Sequence, residues 1–115
     1  MYNWQPIEKS TIKGIGVDFD DTIATNSGYP DFIPKEPIHG AIEALQKLDK
    51  LGYKIWIYTA RPWSDYQNIE NYCLEYGIPA RRIVCGKPLF KCIIDDKNVA
   101  FNGDWGKAFN DCQLI

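Results

Sequence analysis

The sequence predicts an α/β fold: a Rossmann-like, three-layer arrangement with a central parallel sheet and helices on both faces. Three observations lead there. Short apolar runs alternate with helix-period segments along the chain, the runs are rich in β-branched and aromatic residues, and polar residues gather where the runs end. With 115 residues, the expectation is one domain over 1–115.

The elements follow in order. "IKGIGVDF" (12 to 19) reads as a buried first strand whose glycines permit close packing. The next stretch, "DDTIATNSGYPDFIPKE", has prolines, aromatics and no periodicity, and reads as a loop. Pro37 suits a first helical turn, and Ile38, Ile42, Leu45 and Leu48 recur at helical spacing until Gly52. "KIWIYT" (54 to 59) is the second strand. Ser64, with Gln67 as its capping-box partner, is expected to cap a second helix carrying Ile69, Tyr72, Cys73 and Tyr76 on one face, with Gly77 ending it. "RIVC" (82 to 85) and "CIIDD" (92 to 96) supply two further short strands. Asp104 then caps a helix with Trp105, Ala108, Phe109 and Cys112 on one stripe.

Composition narrows the function classes. The formal net charge of -2 offers no electrostatic reason to expect a nucleic-acid partner. No stretch approaches the length of a membrane span, and the first residues lack a basic segment followed by an apolar one, so a cytoplasmic protein with no membrane partner is expected. Cys73, Cys85, Cys92 and Cys112 form no C-x-x-C pair and have no histidine beside them, so buried reduced thiols are expected.

The chemistry lies at the strand ends. In a parallel α/β sheet, ligands sit outside the carboxyl ends of the strands. Asp18 and Asp20 leave the first strand, Thr59 ends the second, Asp95 and Asp96 end the last, and Lys87 precedes it in "CGKPLFK". Carboxylates crowded at one rim repel each other and any anionic ligand unless a cation sits among them. An oxygen-only donor set suits Mg²⁺, a hard ion commonly shared with phosphate. Thr59 and Lys87 suit phosphoryl oxygens. One carboxylate can attack phosphorus, and a second, two residues on, can protonate the leaving oxygen and then deprotonate water.

These residues carry a family resemblance. "DFDDTI" is similar to the D-x-D-x-T signature of haloacid dehalogenase-like (HAD) phosphatases, "IWIYTAR" looks like their second motif, and "GKP" followed by "IIDD" resembles the third and fourth. The resemblance spans residues 15 to 96. It implies a HAD-like core acting as a phosphoric monoester hydrolase, with Asp18 as nucleophile and Asp20 as general acid and base. It also implies Thr59 and Lys87 as phosphoryl binders and Mg²⁺ held by Asp18, the Asp20 backbone carbonyl and the pair Asp95 and Asp96, with Asp96 favoured as the direct ligand. Asp21 departs from the family, which more often has glycine there. Arg61, in "TARP", is a candidate substrate contact, and Trp63, Tyr29 and Phe32 are candidates to frame the leaving group.

The stretches from Asp21 to Pro37 and from Thr59 to Lys87 are too short for an inserted cap domain, so a capless site is expected. Such a site is open to a large phosphorylated substrate, or to a small one covered by a flap from residues 24 to 36 or by a second subunit of a homo-oligomer. A catalytically silent phosphate-binding module is one alternative. A polynucleotide 3'-phosphatase-like activity is another, suggested by "TAR" and "DDK" but unsupported by the charge.

Overall fold

The computed structural model describes residues 13–25 and 35–115. Three strands form a parallel sheet in the order β1 (Gly14–Val17), β2 (Lys54–Tyr58) and β3 (Ala80–Val84). Helix α1 (Ala41–Lys50) links the first two strands and α2 (Tyr66–Tyr76) the second and third, while α3 (Trp105–Gln113) comes last. This is the expected α/β class with a parallel sheet. Val17 pairs with Ile57 and Ile57 with Ile83, so the apolar positions of all three strands fall in register on one face.

That face is the core. Ile55, Ile57 and Val17 pack with Leu45 and Leu48 of α1 and with Ile69, Tyr72 and Cys73 of α2. Both crossovers step across the sheet in one direction, and right-handed crossovers then place α1 and α2 on the same side. The opposite face carries Gly16, Trp56, Tyr58 and Arg82, none of them buried. Helix α3 packs against α1. Among the described residues these helices pack with the apolar face of the sheet, within the expected Rossmann-like α/β arrangement.

The expected fourth strand also differs. Residues 92–96 are exposed, Ile94 fully so at 99%, with Asp96 in a turn, and they pair with no strand among the described residues. The chain length explains it. The Lys87 N–H donates to the carbonyl of Thr59 at the carboxyl end of β2, at 2.9 Å, so only residues 88–91 remain before the expected strand. Returning to start a parallel neighbour commonly takes a dozen or so residues. Cys92 is consequently exposed, not buried as expected, while all four cysteines are free thiols.

Helix starts were misplaced by the pattern. Helix α1 begins at Ala41 behind Gly40, whose φ of 83° is left-handed, and Pro37 instead bridges Ala24. A side chain at Gly40 would also stand 3.2 Å from Cβ of Trp105, so glycine answers both backbone and packing here. Ser64 lies inside a short 3₁₀ turn, Trp63–Asp65, and does not cap α2; Asp65 occupies the cap position without a side-chain cap bond. Gly77 ends α2 in the left-handed conformation, as its position predicted. Asp104 caps α3, accepting from the Lys107 N–H. No helix among the described residues is long and apolar enough to cross a membrane.

Candidate active site

The site is built on the carboxyl ends of β1 and β2. After Val17 the chain leaves β1 and folds into a tight turn. The N–H groups of Ile23 and Ala24 both donate to the Phe19 carbonyl, and that of Asp21 donates to the Ala24 carbonyl. Asp21 has φ of 58°, a conformation that glycine takes freely and that aspartate tolerates better than most residues. The turn thus accommodates aspartate at this position. The indole N–H of Trp105 closes it from outside, donating to the Thr22 carbonyl at 2.8 Å.

The turn presents Asp18 and Asp20 to two different cations. Asp18 accepts the Phe19 N–H at 2.9 Å on Oδ1, and Lys87 Nζ lies 3.4 Å from the same oxygen. This carboxylate is the more open of the two, with 41% of its side chain exposed. Asp20 is gripped on both oxygens: Arg61 Nε donates to Oδ2 and Nη2 to Oδ1, each at 2.8 Å. Such a fork-to-fork pair fixes the plane of the carboxylate as well as its position. Arg61 also donates from Nη1 to Asp65 Oδ2 at 3.3 Å and lies over the Phe19 ring.

Arg61 is therefore not placed as the expected substrate contact. Its side chain is 3% exposed, with its guanidinium turned into the fold. The hydrogen bond to Asp20 raises its pKa, against the opposing effect of burial, so the pair is a standing charge pair. A buried arginine needs carboxylate partners, and Asp20 and Asp65 serve as such.

Thr59 connects the two cations. It is 1% exposed, and its Oγ1 accepts the Arg61 N–H at 3.1 Å while its carbonyl accepts the Lys87 N–H. The Gly86 N–H donates in turn to the Arg61 carbonyl. The segments following β2 and β3 are stitched into one rim, which is how residues distant in sequence reach the same place. Among the expected site residues, Asp18, Asp20, Thr59, Arg61 and Lys87 are brought together. Lys87 also sits over the Tyr58 ring, on the uncovered side of the sheet.

Asp95 and Asp96 are not brought to this rim. They lie in the exposed segment that does not join the sheet, where Asp95 accepts the Lys97 N–H and has its pKa lowered chiefly by that bond. No group of three or more potential metal ligands from His, Cys, Asp and Glu occurs among the described residues. As arranged, with Asp95 and Asp96 away from the rim and Asp18 facing an ammonium, the donor set does not fit the expected Mg²⁺. The crowded acids are instead balanced by Lys87 and Arg61. Tyr29, Phe32 and most of the expected flap lie outside the described residues. Trp63 is exposed, stacks on Tyr66 and approaches Gly86.

Asp65 is the functional candidate that the motifs did not show. Its signal was its place four residues after Arg61, a spacing that lets a carboxylate reach a guanidinium on one turn.

No family model and no curated protein matches the chain. Among solved structures, it resembles the crystal structure of an MCSG target from Vibrio cholerae, with a TM-score of 0.60 and 24% identity over 86% of this chain and 98% of that one. That likeness establishes the fold alone.

Proposed function

We propose that the chain hydrolyses phosphate monoesters through an aspartyl-phosphate on Asp18. The observation that carries this reading is the pairing of an open carboxylate with an ammonium at the sheet's carboxyl rim, Asp18 Oδ1 to Lys87 Nζ at 3.4 Å, with Asp20 fixed in the same turn. Lys87 draws a phosphoryl dianion toward the rim and offsets the repulsion between it and Asp18. In the first step Asp18 Oδ attacks phosphorus, a new O–P bond forms, the ester P–O bond breaks, and Asp20, having first taken a proton from solvent, gives it to the departing oxygen. In the second, water attacks the same phosphorus, its proton passes to Asp20, and the Asp18–phosphorus bond breaks to release inorganic phosphate. The positive charge at the rim is supplied by Lys87.

The test is turnover of p-nitrophenyl phosphate by the purified chain, with and without added Mg²⁺, compared with Asp18→Asn. The wild-type chain should release phosphate and the Asn variant should not, because the amide keeps the shape but loses the attacking anion. Hydrolysis by Asp18→Asn equal to wild type would reject Asp18 as nucleophile. Phosphate binding without any turnover would favour the silent binding module.

A further inference from the structure

A buried ion-pair relay stands behind Asp20, and the two-step chemistry does not by itself call for it. Asp65 accepts from Nη1 of Arg61, and Arg61 uses its Nε and Nη2 to hold both oxygens of Asp20. The pieces lie on different elements: Asp20 in the turn after β1, Arg61 in the segment after β2, Asp65 in the 3₁₀ turn that leads into α2. Asp65 is largely shielded, and the Arg61 backbone is fixed at both ends by Thr59 and Gly86. The guanidinium therefore has little freedom to follow Asp20 if that carboxylate moves.

We infer that Asp65 and Arg61 are positioning residues that orient Asp20 for the water step of the proposed reaction, an inference that rests on the phosphatase reading above. The geometry favours this step over the first. The clamped carboxylate is the form from which the water step starts, so the relay fixes where its free lone pairs point as the water arrives. The first step starts from Asp20 carrying a proton, with one of the two 2.8 Å bonds already loosened. The relay should thus matter most where the aspartyl-phosphate breaks down.

The two half-reactions can be separated. With p-nitrophenyl phosphate the leaving group needs little protonation, so nitrophenolate appears as Asp18 is phosphorylated, and steady turnover then waits on water attack. Asp65→Asn keeps the size of the side chain but loses its charge. The expected result is a rapid burst of nitrophenolate followed by a steady rate about tenfold below wild type, with KM falling in step and kcat/KM nearly unchanged. Arg61→Lys, which keeps a charge but loses the planar fork, should show the same split more strongly. A side chain needed only for folding would lower the active fraction, and so reduce burst and steady rate in proportion without moving KM. Equal loss in kcat and kcat/KM with no burst in Asp65→Asn would overturn the relay while leaving the phosphatase reading standing. Absence of turnover by the wild-type chain would overturn both.

Discussion

Replacing Asp20 by alanine should cost the fold far more than replacing Asp18, although the two stand two residues apart. Asp20→Ala removes both 2.8 Å bonds from an arginine whose side chain is 3% exposed and whose contact to Asp65 is longer, at 3.3 Å. Breaking a buried ion pair by removing one partner costs about 3–5 kcal/mol. Asp20 is itself 27% exposed, so water can enter the vacated space, and about 2–3 kcal/mol is the better expectation. Asp18 is 41% exposed and meets Lys87 at 3.4 Å, which places its pair in the range of about 0–1 kcal/mol typical of surface ion pairs. Relief of repulsion among the neighbouring acids works against even that. For a domain of this size each kcal/mol moves Tm by about 4 °C, so Asp20→Ala should melt about 8–12 °C lower and Asp18→Ala within about 4 °C of wild type. Circular dichroism melts at neutral pH, with urea titrations to confirm the order, measure both. Equal shifts, or an Asp20→Ala protein as stable as wild type, would mean that Arg61 does not depend on Asp20 in the folded chain.

Two further outcomes are expected. Lys87→Ala should lower kcat/KM about a hundredfold, the scale of losing one preorganised electrostatic group, whereas Lys91→Ala, in the exposed segment, should change it little; reversed or equal effects in steady-state assays would remove Lys87 from the site. Burial pushes the Cys73 thiol up to about 12 and raises Cys85 and Cys112 as well, so each stays protonated in the fold where the unfolded chain would ionise it. Their contribution is complete below the unfolded value near 9 and is lost as pH climbs toward the folded one, so stability should fall above about pH 9. A Cys73→Ala variant whose alkaline decline matched wild type would contradict this.

The sheet was legible because periodicity and burial are the same physics: Val17, Ile55, Ile57 and Ile83 alternate because one side of a strand faces the core. The cluster Asp18, Asp20, Thr59 and Lys87 was legible for a related reason, since strand ends converge in a parallel sheet. Residues 92–96 were not, because an apolar run reports a preference to be covered and says nothing of whether the preceding loop can reach an edge. Arg61 was read as a substrate contact because a charge in a loop at the rim is usually solvated; its carboxylate partner Asp20 lies 41 positions earlier. Helix starts failed at Pro37 and Ser64 because the residues typical of a first turn also fit the bridges and 3₁₀ turns that precede one.

The hydrogen bond from Trp105 to the Thr22 carbonyl has a consequence in time. The turn that presents Asp18 and Asp20 receives this tie from a residue 83 positions later. At a synthesis rate of about 5–20 residues per second, that interval is roughly 4–17 s. Until Trp105 is made, the acids of the turn lack the indole tether. Arg61, the partner of Asp20, is made about halfway through that interval, so this ion pair can form before the turn is closed. A ribosome-bound chain stalled between these two residues should hold its carboxylates in a looser arrangement than the released protein, with the final helix acting as the last fastening of a site encoded near the start.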